Sequence, residues 1–154
     1  MKQGQKNMNF REANLDDIDE LLEIRFSVSE NVLNNRALVT EEITADFLTK
    51  RGKGWVCEIE NQIVGFAIID VLENNIWALF VRPGFEGRGI GKKLQEIMLD
   101  WFFNQSDQTL WLGTAPGTRA EKFYTASGWR DVGRTQYGEI RFEITHDEWI
   151  KSKV

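Results

Sequence analysis

The chain has 154 residues, 42% of them hydrophobic and 28% charged, which is the composition of one globular domain with an apolar core and no disorder signature. Its net charge of −5 argues against a general nucleic-acid binder, which would present a basic face. No apolar run approaches the roughly 20 residues of a membrane span, and no signal-peptide pattern opens the chain. We therefore expect a single cytoplasmic domain over residues 1–154, flexible at residues 1–7, without a nucleic-acid or membrane partner.

The first half of the chain predicts a strand, two helices and a hairpin. A strand begins at Phe10, and Asn14 is a typical N-cap for the first helix. The apolar stripe of that helix consists of Leu15, Ile18, Leu21, Leu22 and Phe26. A second helix starts near Thr40. Residues 55–60 and 63–71 read as the two strands of a hairpin with a turn at Asn61-Gln62.

The second half predicts alternating strands and helices. The apolar run Ile76–Arg82 reads as a strand, and the glycine-spaced loop 87–91 leads from it into an amphipathic helix. A short strand at Leu110–Leu112 follows, then a helix over Thr118–Ser127 that ends at Gly128. Strands at 129–132 and 137–144 complete the chain. A meander followed by strand–helix–strand predicts an α/β fold, a mixed sheet with helices on both faces.

The glycine loop predicts a phosphate site. Glycines let the backbone approach a ligand, and the first N–H groups of a helix lack intrahelical partners. The P-loop pattern fits poorly because Glu86 stands where it needs a glycine and Lys93 where it needs Ser or Thr. The dinucleotide fingerprint fits poorly because its last glycine position falls on Lys92 or Leu94. The cations near this loop favour phosphate binding over a merely solvated face; they are Arg82, Arg88, Lys92 and Lys93.

Two motifs resemble those of the GNAT superfamily of N-acetyltransferases. Residues 81–94 are similar to its acyl-CoA loop, V-x-P-x-x-(R/Q)-G-x-G-I-G-x-x-L. The stretch Ala120–Trp129 is similar to its A-x-x-F-Y-x-x-x-G-(F/W) element. Together they cover about a third of the chain, and the strand order extends the match. The resemblance implies a GNAT-like fold in which the strands 76–82 and 110–112 splay apart to admit the pantetheine arm.

The resemblance also implies a reaction. A primary amine, of a small molecule in our interpretation, attacks the thioester of acetyl-CoA directly, and no metal is needed. Backbone N–H groups near Leu79 and Val81 would polarise the carbonyl, and Tyr124 would protonate the departing sulfur. The expected acetyl-CoA-binding residues are Leu79, Phe80, Val81, Glu86, Gly87, Arg88, Gly89, Ile90, Gly91, Lys92 and Gly117.

Other interpretations stay open at this point. Tyr124 could be a core aromatic with a hydrogen-bonded hydroxyl. The family pattern is broken at Glu86, at Gly117 and at Asn75, where many members carry a glutamate that acts as general base. The candidates to replace that base are Glu30, Glu58, Asp70, Glu139 and Glu143, and the last two look like solvated surface. A protein or peptide amine as acceptor, or a non-catalytic acyl-CoA-binding module, remains an alternative.

The acceptor would be selected by the variable segments, residues 27–39 and 134–137. In these segments Glu30 could attract a cationic amine, and Arg36 or Arg134 could hold a carboxylate. Trp77 on the key strand could face the acceptor. A homodimer is compatible with the sequence, but no feature of the sequence decides it.

Overall fold

A computed structural model of the chain describes residues 7–33 and 35–153, so most of the flexible segment predicted at residues 1–7 lies outside the described residues. The sheet has seven strands in the order β1-β2-β3-β4-β5-β7-β6. The strands are β1 (Met8–Glu12), β2 (Gly52–Ile59), β3 (Gln62–Asp70), β4 (Asn75–Val81), β5 (Leu110–Thr114), β6 (Arg130–Arg134) and β7 (Ile140–Ile144). The helices are α1 (Ile18–Ser27), α2 (Glu41–Asp46), α3 (Ile90–Phe103), α4 (Arg119–Ala126) and α5 (His146–Ser152).

Helices cover both faces of the sheet, as the sequence predicts. Helix α1 buries Leu21 and Ile24 against one face, where they meet Phe66 and Ile68 of β3. The opposite face packs against α3, α4 and α5 in a larger core, whose centre holds Leu94, Met98, Leu99, Phe142 and Trp149. Leu15 was expected in the stripe of the first helix, but it is 55% exposed because it lies in a 3₁₀ turn, Leu15–Asp17, that precedes α1.

The turn of the hairpin lies one residue earlier in the sequence than expected. Glu60 and Asn61 both adopt positive φ, 52° and 65°, as in a two-residue turn of type I′. The turn is therefore Glu60-Asn61, and β3 starts at Gln62. Every residue of β3 from Ile63 to Asp70 is buried, as expected for a central strand covered on both faces.

Two short elements were not expected from the sequence. A π-helical turn, Phe47–Arg51, links α2 to β2. Helix α5 follows β7 and begins with a capping box, in which Thr145 and Glu148 each accept the other's backbone N–H. Trp149 of α5 is buried and donates to Asp100 of α3 at 2.9 Å, so α5 is part of the core.

Candidate acyl-CoA cleft and acceptor pocket

The sheet opens at its centre. Strands β4 and β5 are parallel neighbours, but a single pair, Asn75 with Trp111, is in register before they diverge. Next to this pair the β3–β4 ladder contains a bulge, because Ile68 faces Ala78 while Ile69 faces Ile76, which leaves Trp77 as the extra residue. A bulge bends its strand and increases the local twist. Strands β4 and β5 therefore diverge as expected, and the bulge lies where the divergence begins.

A cleft of about 520 Å³ occupies the opening. Its walls come from the end of β4, from the loop between β4 and α3, from α4, and from residues 28–31 after α1. The expected site residues that line it are Leu79, Phe80, Val81, Glu86, Gly87, Gly89, Ile90, Gly91, Lys92 and Tyr124. Arg88 and Gly117 were also expected to bind acetyl-CoA, but they do not line the cleft.

Strand β4 turns unpaired backbone groups towards the cleft. The Arg82 N–H donates to the Val64 carbonyl of β3 at 2.7 Å. Because successive residues of a strand direct their N–H groups to opposite edges, those of Val81 and Leu79 point away from β3. They face the side on which β5 has diverged. These are the two groups that the resemblance assigns to the thioester carbonyl.

The anion cradle forms at the start of α3. Gly87 and Gly89 adopt φ of 76° and 82°, a left-handed conformation that favours glycine, and Gly89 is the N-cap. The first bond of this turn runs from the Lys93 N–H to the Gly89 carbonyl at 3.0 Å. The N–H groups that precede it, including those of Gly91 and Lys92, have no partner within the helix. The helix N-terminus is therefore open to an anion.

Most of the expected cations are engaged elsewhere. Arg82 pairs with Glu23 and also donates to the Ile63 carbonyl at 3.0 Å. Lys93 pairs with Glu96 at 3.0 Å, and the Arg88 guanidinium lies over the Phe85 ring at 5.0 Å. Of the four expected cations, only Lys92 lines the cleft. A cation that the sequence did not indicate, Arg119 at the start of α4, lines it too.

Glu86 is held by its own loop. Its carboxylate accepts from the Gly84 N–H at 2.7 Å and from Arg119 at 3.1 Å. Hydrogen bonds from the backbone N–H groups of Glu86 and Gly84, and then the contact with Arg119, lower the pKa of this carboxyl below its ordinary value. Its charge is thus neutralised in part by an arginine from across the cleft, which reduces the repulsion that a carboxylate in this loop would exert on a pyrophosphate. Gly117 donates to Glu121 at 2.7 Å, in the turn before α4.

Tyr124 lies on the inner face of α4, at the wall of the cleft. Its ring packs against Phe123, Trp129 and Phe142, with centroids 5.1, 5.6 and 6.1 Å away. The side chain is buried, and burial raises the pKa of its hydroxyl well above the ordinary value. No hydrogen bond joins this hydroxyl to any described residue. Tyr124 thus belongs both to the larger core and to the wall of the cleft, and its hydroxyl lacks the hydrogen bond that the interpretation as a core aromatic assumed.

The segment after α1 closes one side of the cleft. Asn31, with φ of 56°, accepts from the Ala115 N–H at 2.9 Å and donates to Thr114 Oγ1 at 3.1 Å. The neighbouring Glu30 accepts from the Arg119 N–H at 2.9 Å, at the start of α4. These bonds connect α1 with the far side of the splay. Asn31 lies in the variable segment expected to select the acceptor, but the sequence assigned it no role of its own, although asparagine tolerates the left-handed conformation.

Four of the five candidate bases have partners. Glu58 is paired with Arg11 at 2.9 Å, and Asp70 with Arg51 at 2.7 Å. Glu143 is paired with Arg141 at 3.1 Å, and Glu30 caps α4.

Glu139 has no hydrogen bond or ion pair through its carboxylate within the described residues. A Cβ added to Gly113 of β5 would meet that carboxylate at 2.7 Å. Glu139 therefore lies over the diverging strand and not on an open surface.

A second cavity, of about 180 Å³, lies on the α1 and α2 side of the sheet. Trp77, the bulged residue of β4, lines it and stacks on Phe47 with ring centroids 3.9 Å apart. Arg36 is not part of its lining, since its guanidinium lies over the Phe26 ring at 4.4 Å. Arg134 is paired with Asp131 at 3.2 Å. We call this cavity the acceptor-side pocket.

The described residues contain neither a helix that could span a membrane nor a metal-binding cluster. Between residues 7 and 153, with residue 34 set aside, no helix has both the length and the apolar character that crossing a bilayer requires. The same residues contain no group of three or more His, Cys, Asp and Glu side chains arranged to hold a metal ion.

Comparison with known proteins gives a consistent family. The model of the Acetyltransferase (GNAT) family matches residues 15–129. An uncharacterized N-acetyltransferase of Archaeoglobus fulgidus is 31% identical over 147 residues, which are 85% of this chain and 97% of that protein. The PaiA N-acetyltransferase of Thermoplasma acidophilum, solved in complex with coenzyme A, superposes with a TM-score of 0.79 at 13% identity, over 90% of this chain and 99% of the other. A GNAT-family acetyltransferase of Staphylococcus aureus gives 0.77 at 25% identity, over 89% and 97%.

Proposed function

The chain belongs to the GNAT family of acetyltransferases, and from this premise we propose that it moves the acetyl group of acetyl-CoA directly onto a primary amine of a small molecule. The observation that carries the proposal is the cleft between β4 and β5, with its unpaired backbone donors on one strand and a helix N-terminus at its mouth. In this proposal the pyrophosphate lies at the start of α3, and the thioester lies beside Leu79 and Val81.

In this proposal three sets of groups in this chain carry out the acetyl transfer: a base, a pair of backbone N–H groups and an acid. Glu139, through a water molecule, takes one proton from the acceptor ammonium. The freed lone pair attacks the thioester carbon, and the N–H groups of Leu79 and Val81 stabilise the oxyanion. As the C–N bond completes and the C–S bond breaks, Tyr124 gives its proton to the sulfur. The second amine proton returns to Tyr124 through solvent, so one proton is released overall.

The place of Tyr124 at the wall of the cleft supports its role as the acid. Burial raises its pKa and keeps the hydroxyl protonated at neutral pH, but it also makes the hydroxyl a weaker acid than a thiol, whose pKa is about 8.5. The pKa shift therefore shows that a proton is present and does not by itself favour its transfer. The place of Tyr124 also argues against a non-catalytic acyl-CoA-binding module. The small volume of the acceptor-side pocket, about 180 Å³, favours a small molecule over a protein chain as acceptor.

The test is acetyl transfer to a panel of primary amines, with peptides as a separate arm, followed by the release of free CoA and by the mass of the acetylated product. We expect transfer to small amines, and we expect Tyr124→Phe to lower kcat by about 10²-fold, the lower end for general acid catalysis, because a thiolate is already a fair leaving group. The dissociation constant for acetyl-CoA should stay within about twofold, since the ring is kept. An unchanged kcat in Tyr124→Phe would remove Tyr124 from the mechanism, and transfer to peptides alone would reverse the choice of acceptor.

A further inference from the structure

The acceptor-side pocket is apolar and opens beside the segment that joins α1 to α2. Its walls include Leu21 and Leu22 of α1, Phe66 of β3 and Trp77 of β4. Leu38 also lines it and is 62% exposed, so the pocket communicates with solvent there. An apolar cavity of about 150 Å³ accommodates a benzene ring, and this one has about 180 Å³. Its size suits the side chain of a medium-sized apolar or aromatic molecule.

One wall of the pocket carries a cation that forms no ion pair with any described residue. Arg25 of α1 is partly buried, and it lies over the Phe80 ring at 4.3 Å. It donates once, to the Asn31 carbonyl at 3.0 Å, and no carboxylate of the described residues lies within ion-pair distance of it. Burial lowers the pKa of this guanidinium. A partly buried charge without a partner is an incomplete pair, and Arg25 has further N–H donors with which to bind an anion.

Arg25 also lies where the pocket and the cleft approach each other. It lines the pocket, while the Phe80 ring beneath it lines the cleft. The carboxylate of Glu139 is near enough for its charge to raise the pKa of Arg25 in part. The two side chains nonetheless form no ion pair with each other. The edge of the splay thus presents a cation and a carboxylate that form no ion pair within the described residues, and together they complement a zwitterion.

The wall also contains an unsatisfied hydroxyl. Thr44 of α2 lines the pocket, is 2% exposed, and its Oγ1 has no hydrogen-bond partner in the described residues. A buried polar atom without a partner is costly, and native structures usually satisfy it with protein, water or ligand. A ligand atom that hydrogen-bonds to Thr44 would therefore bind more favourably than a purely apolar one.

We infer that the acceptor is a free α-amino acid with a medium-sized aromatic or apolar side chain. Its carboxylate binds Arg25, its amino group lies beside Glu139 at the splay, and its side chain fills the acceptor-side pocket towards Thr44. The inference rests on the proposed acetyl transfer to a small amine and narrows the class of that amine. It also replaces Arg36 and Arg134 with Arg25 as the carboxylate ligand.

The experiment compares amino acids with amines that differ only in the carboxylate. Leucine, phenylalanine and tyrosine are paired with 3-methylbutylamine, phenethylamine and tyramine, at saturating acetyl-CoA and with CoA release as the signal. In the wild-type protein we expect kcat/KM, calculated on the concentration of unprotonated amine because the paired compounds differ in pKa, to be at least about tenfold higher for each amino acid. This is the effect of one charge-assisted hydrogen bond. Amines that match or exceed their amino acids would overturn the inference, whatever the variants show.

Variants then assign the contacts. Arg25→Gln is expected to raise KM for the amino acids by about tenfold while leaving the amines within about twofold. Arg36→Gln, on the same segment but outside the pocket, should change neither, and an effect of Arg36→Gln in place of Arg25→Gln would contradict the assignment. Thr44→Val should reduce any preference for tyrosine over phenylalanine and leave leucine unchanged. Arg25→Gln and Thr44→Val are each expected to change the kinetics of one substrate and not those of its matched partner. A general loss of structure would affect both substrates alike.

The outcome also separates this inference from the proposed function. Transfer to other small amines, such as diamines, with no transfer to amino acids would refute the amino-acid acceptor and preserve the acetyltransferase proposal. Failure to acetylate any amine, in a protein that still binds acetyl-CoA, would refute both.

Discussion

Glu139 is the residue on which the base assignment depends. Its carboxylate lies over Gly113 at the splay without a hydrogen bond or ion pair in the described residues, whereas Glu143, within the following strand β7, is paired with Arg141. We expect Glu139→Gln to lower kcat/KM by about 10²-fold near neutral pH, because an acceptor ammonium must lose a proton before attack. The deficit should shrink as the pH rises towards the pKa of the acceptor amine, because a growing fraction of the acceptor is then already deprotonated.

The measurement is the pH–rate profile of the wild type, Glu139→Gln and Glu143→Gln between about pH 7 and about pH 9.5. The matched control, Glu143→Gln, removes the same charge from the neighbouring strand β7 and should follow the wild-type profile. Equal deficits in the two variants, or a deficit that does not depend on pH, would mean that Glu139 is not the proton acceptor.

Cys57 gives a residue-scale prediction about stability. The thiol is fully buried in β2, and burial raises its pKa to about 11. Since the folded value exceeds the unfolded value of about 8.5, the free energy of unfolding is unaffected below that pH and falls as the pH rises towards about 11. The contribution to the slope is about 1.4 kcal/mol per pH unit.

We expect urea unfolding of Cys57→Ala to lack this part of the alkaline loss, while its acetyl transfer at neutral pH is retained because no thiol nucleophile takes part. Comparing the variant with the wild type at the same pH cancels the titration of lysines and tyrosines. Identical alkaline slopes in the two proteins would show that the thiol does not titrate as its burial implies. Loss of transfer with normal stability would point instead to a covalent intermediate on Cys57.

At the scale of elements, the glycine loop and α3 carry a prediction about binding. Gly91 is the second residue of α3, and a Cβ there would lie 3.7 Å from Val81 and 3.9 Å from Phe123, both on the wall of the cleft. Alanine should stabilise the free protein by up to about 1 kcal/mol because glycine is a poor helix former. The same methyl group narrows the space where a pyrophosphate would approach, so the dissociation constant for acetyl-CoA should rise by about tenfold or more.

Thermal unfolding without ligand and calorimetric titration with acetyl-CoA check the two halves of the Gly91→Ala prediction. Opposite signs, with greater stability and weaker binding, are the expected combination. Binding as tight as that of the wild type would show that the ligand does not approach the backbone at this turn.

Elements whose signals are local were predictable from the sequence. The strand, glycine loop and helix from Ile76 to Phe103 were expected because apolar periodicity and glycine spacing act over a few residues. Helix α5 was missed although its capping box, Thr145 to Glu148, is visible in the sequence. The π-helical turn Phe47–Arg51 has no comparable sequence signal.

The charges of the site were less predictable than its backbone. Arg82 and Lys93 lie close to the glycine loop in the sequence, but the fold brings them Glu23 and Glu96 as partners. Arg25 and Arg119 became candidates only when the fold placed them at the pocket and the cleft. Ion pairs between distant segments decide which cations can bind a ligand. Such pairs depend on the tertiary fold, so local sequence patterns do not reveal them.

For the whole molecule, Asn31 connects the two halves of the splayed sheet. Its side chain bonds Thr114 and the Ala115 N–H beyond β5, while its carbonyl receives Arg25 of α1. Asn31→Gly keeps the left-handed conformation and loses the side-chain bonds, at an expected cost of about 1–3 kcal/mol. Asn31→Ala adds a left-handed strain of about 1–2 kcal/mol.

The predicted order of stability is therefore wild type, then Asn31→Gly, then Asn31→Ala, as measured by urea unfolding. Both variants should also bind acetyl-CoA more weakly, because this segment forms one wall of the cleft. If the glycine and alanine variants were equally stable, the strain at φ of 56° would have no energetic weight.

Calorimetric titration of the purified protein with acetyl-CoA, with ATP and NADH as controls, tests the central claim most directly. The cleft and the start of α3 predict saturable binding at one site for acetyl-CoA, no comparable binding of ATP or NADH, and a weaker affinity in Gly91→Ala. The absence of acetyl-CoA binding, or binding that Gly91→Ala leaves unchanged, would contradict the assignment of this cleft.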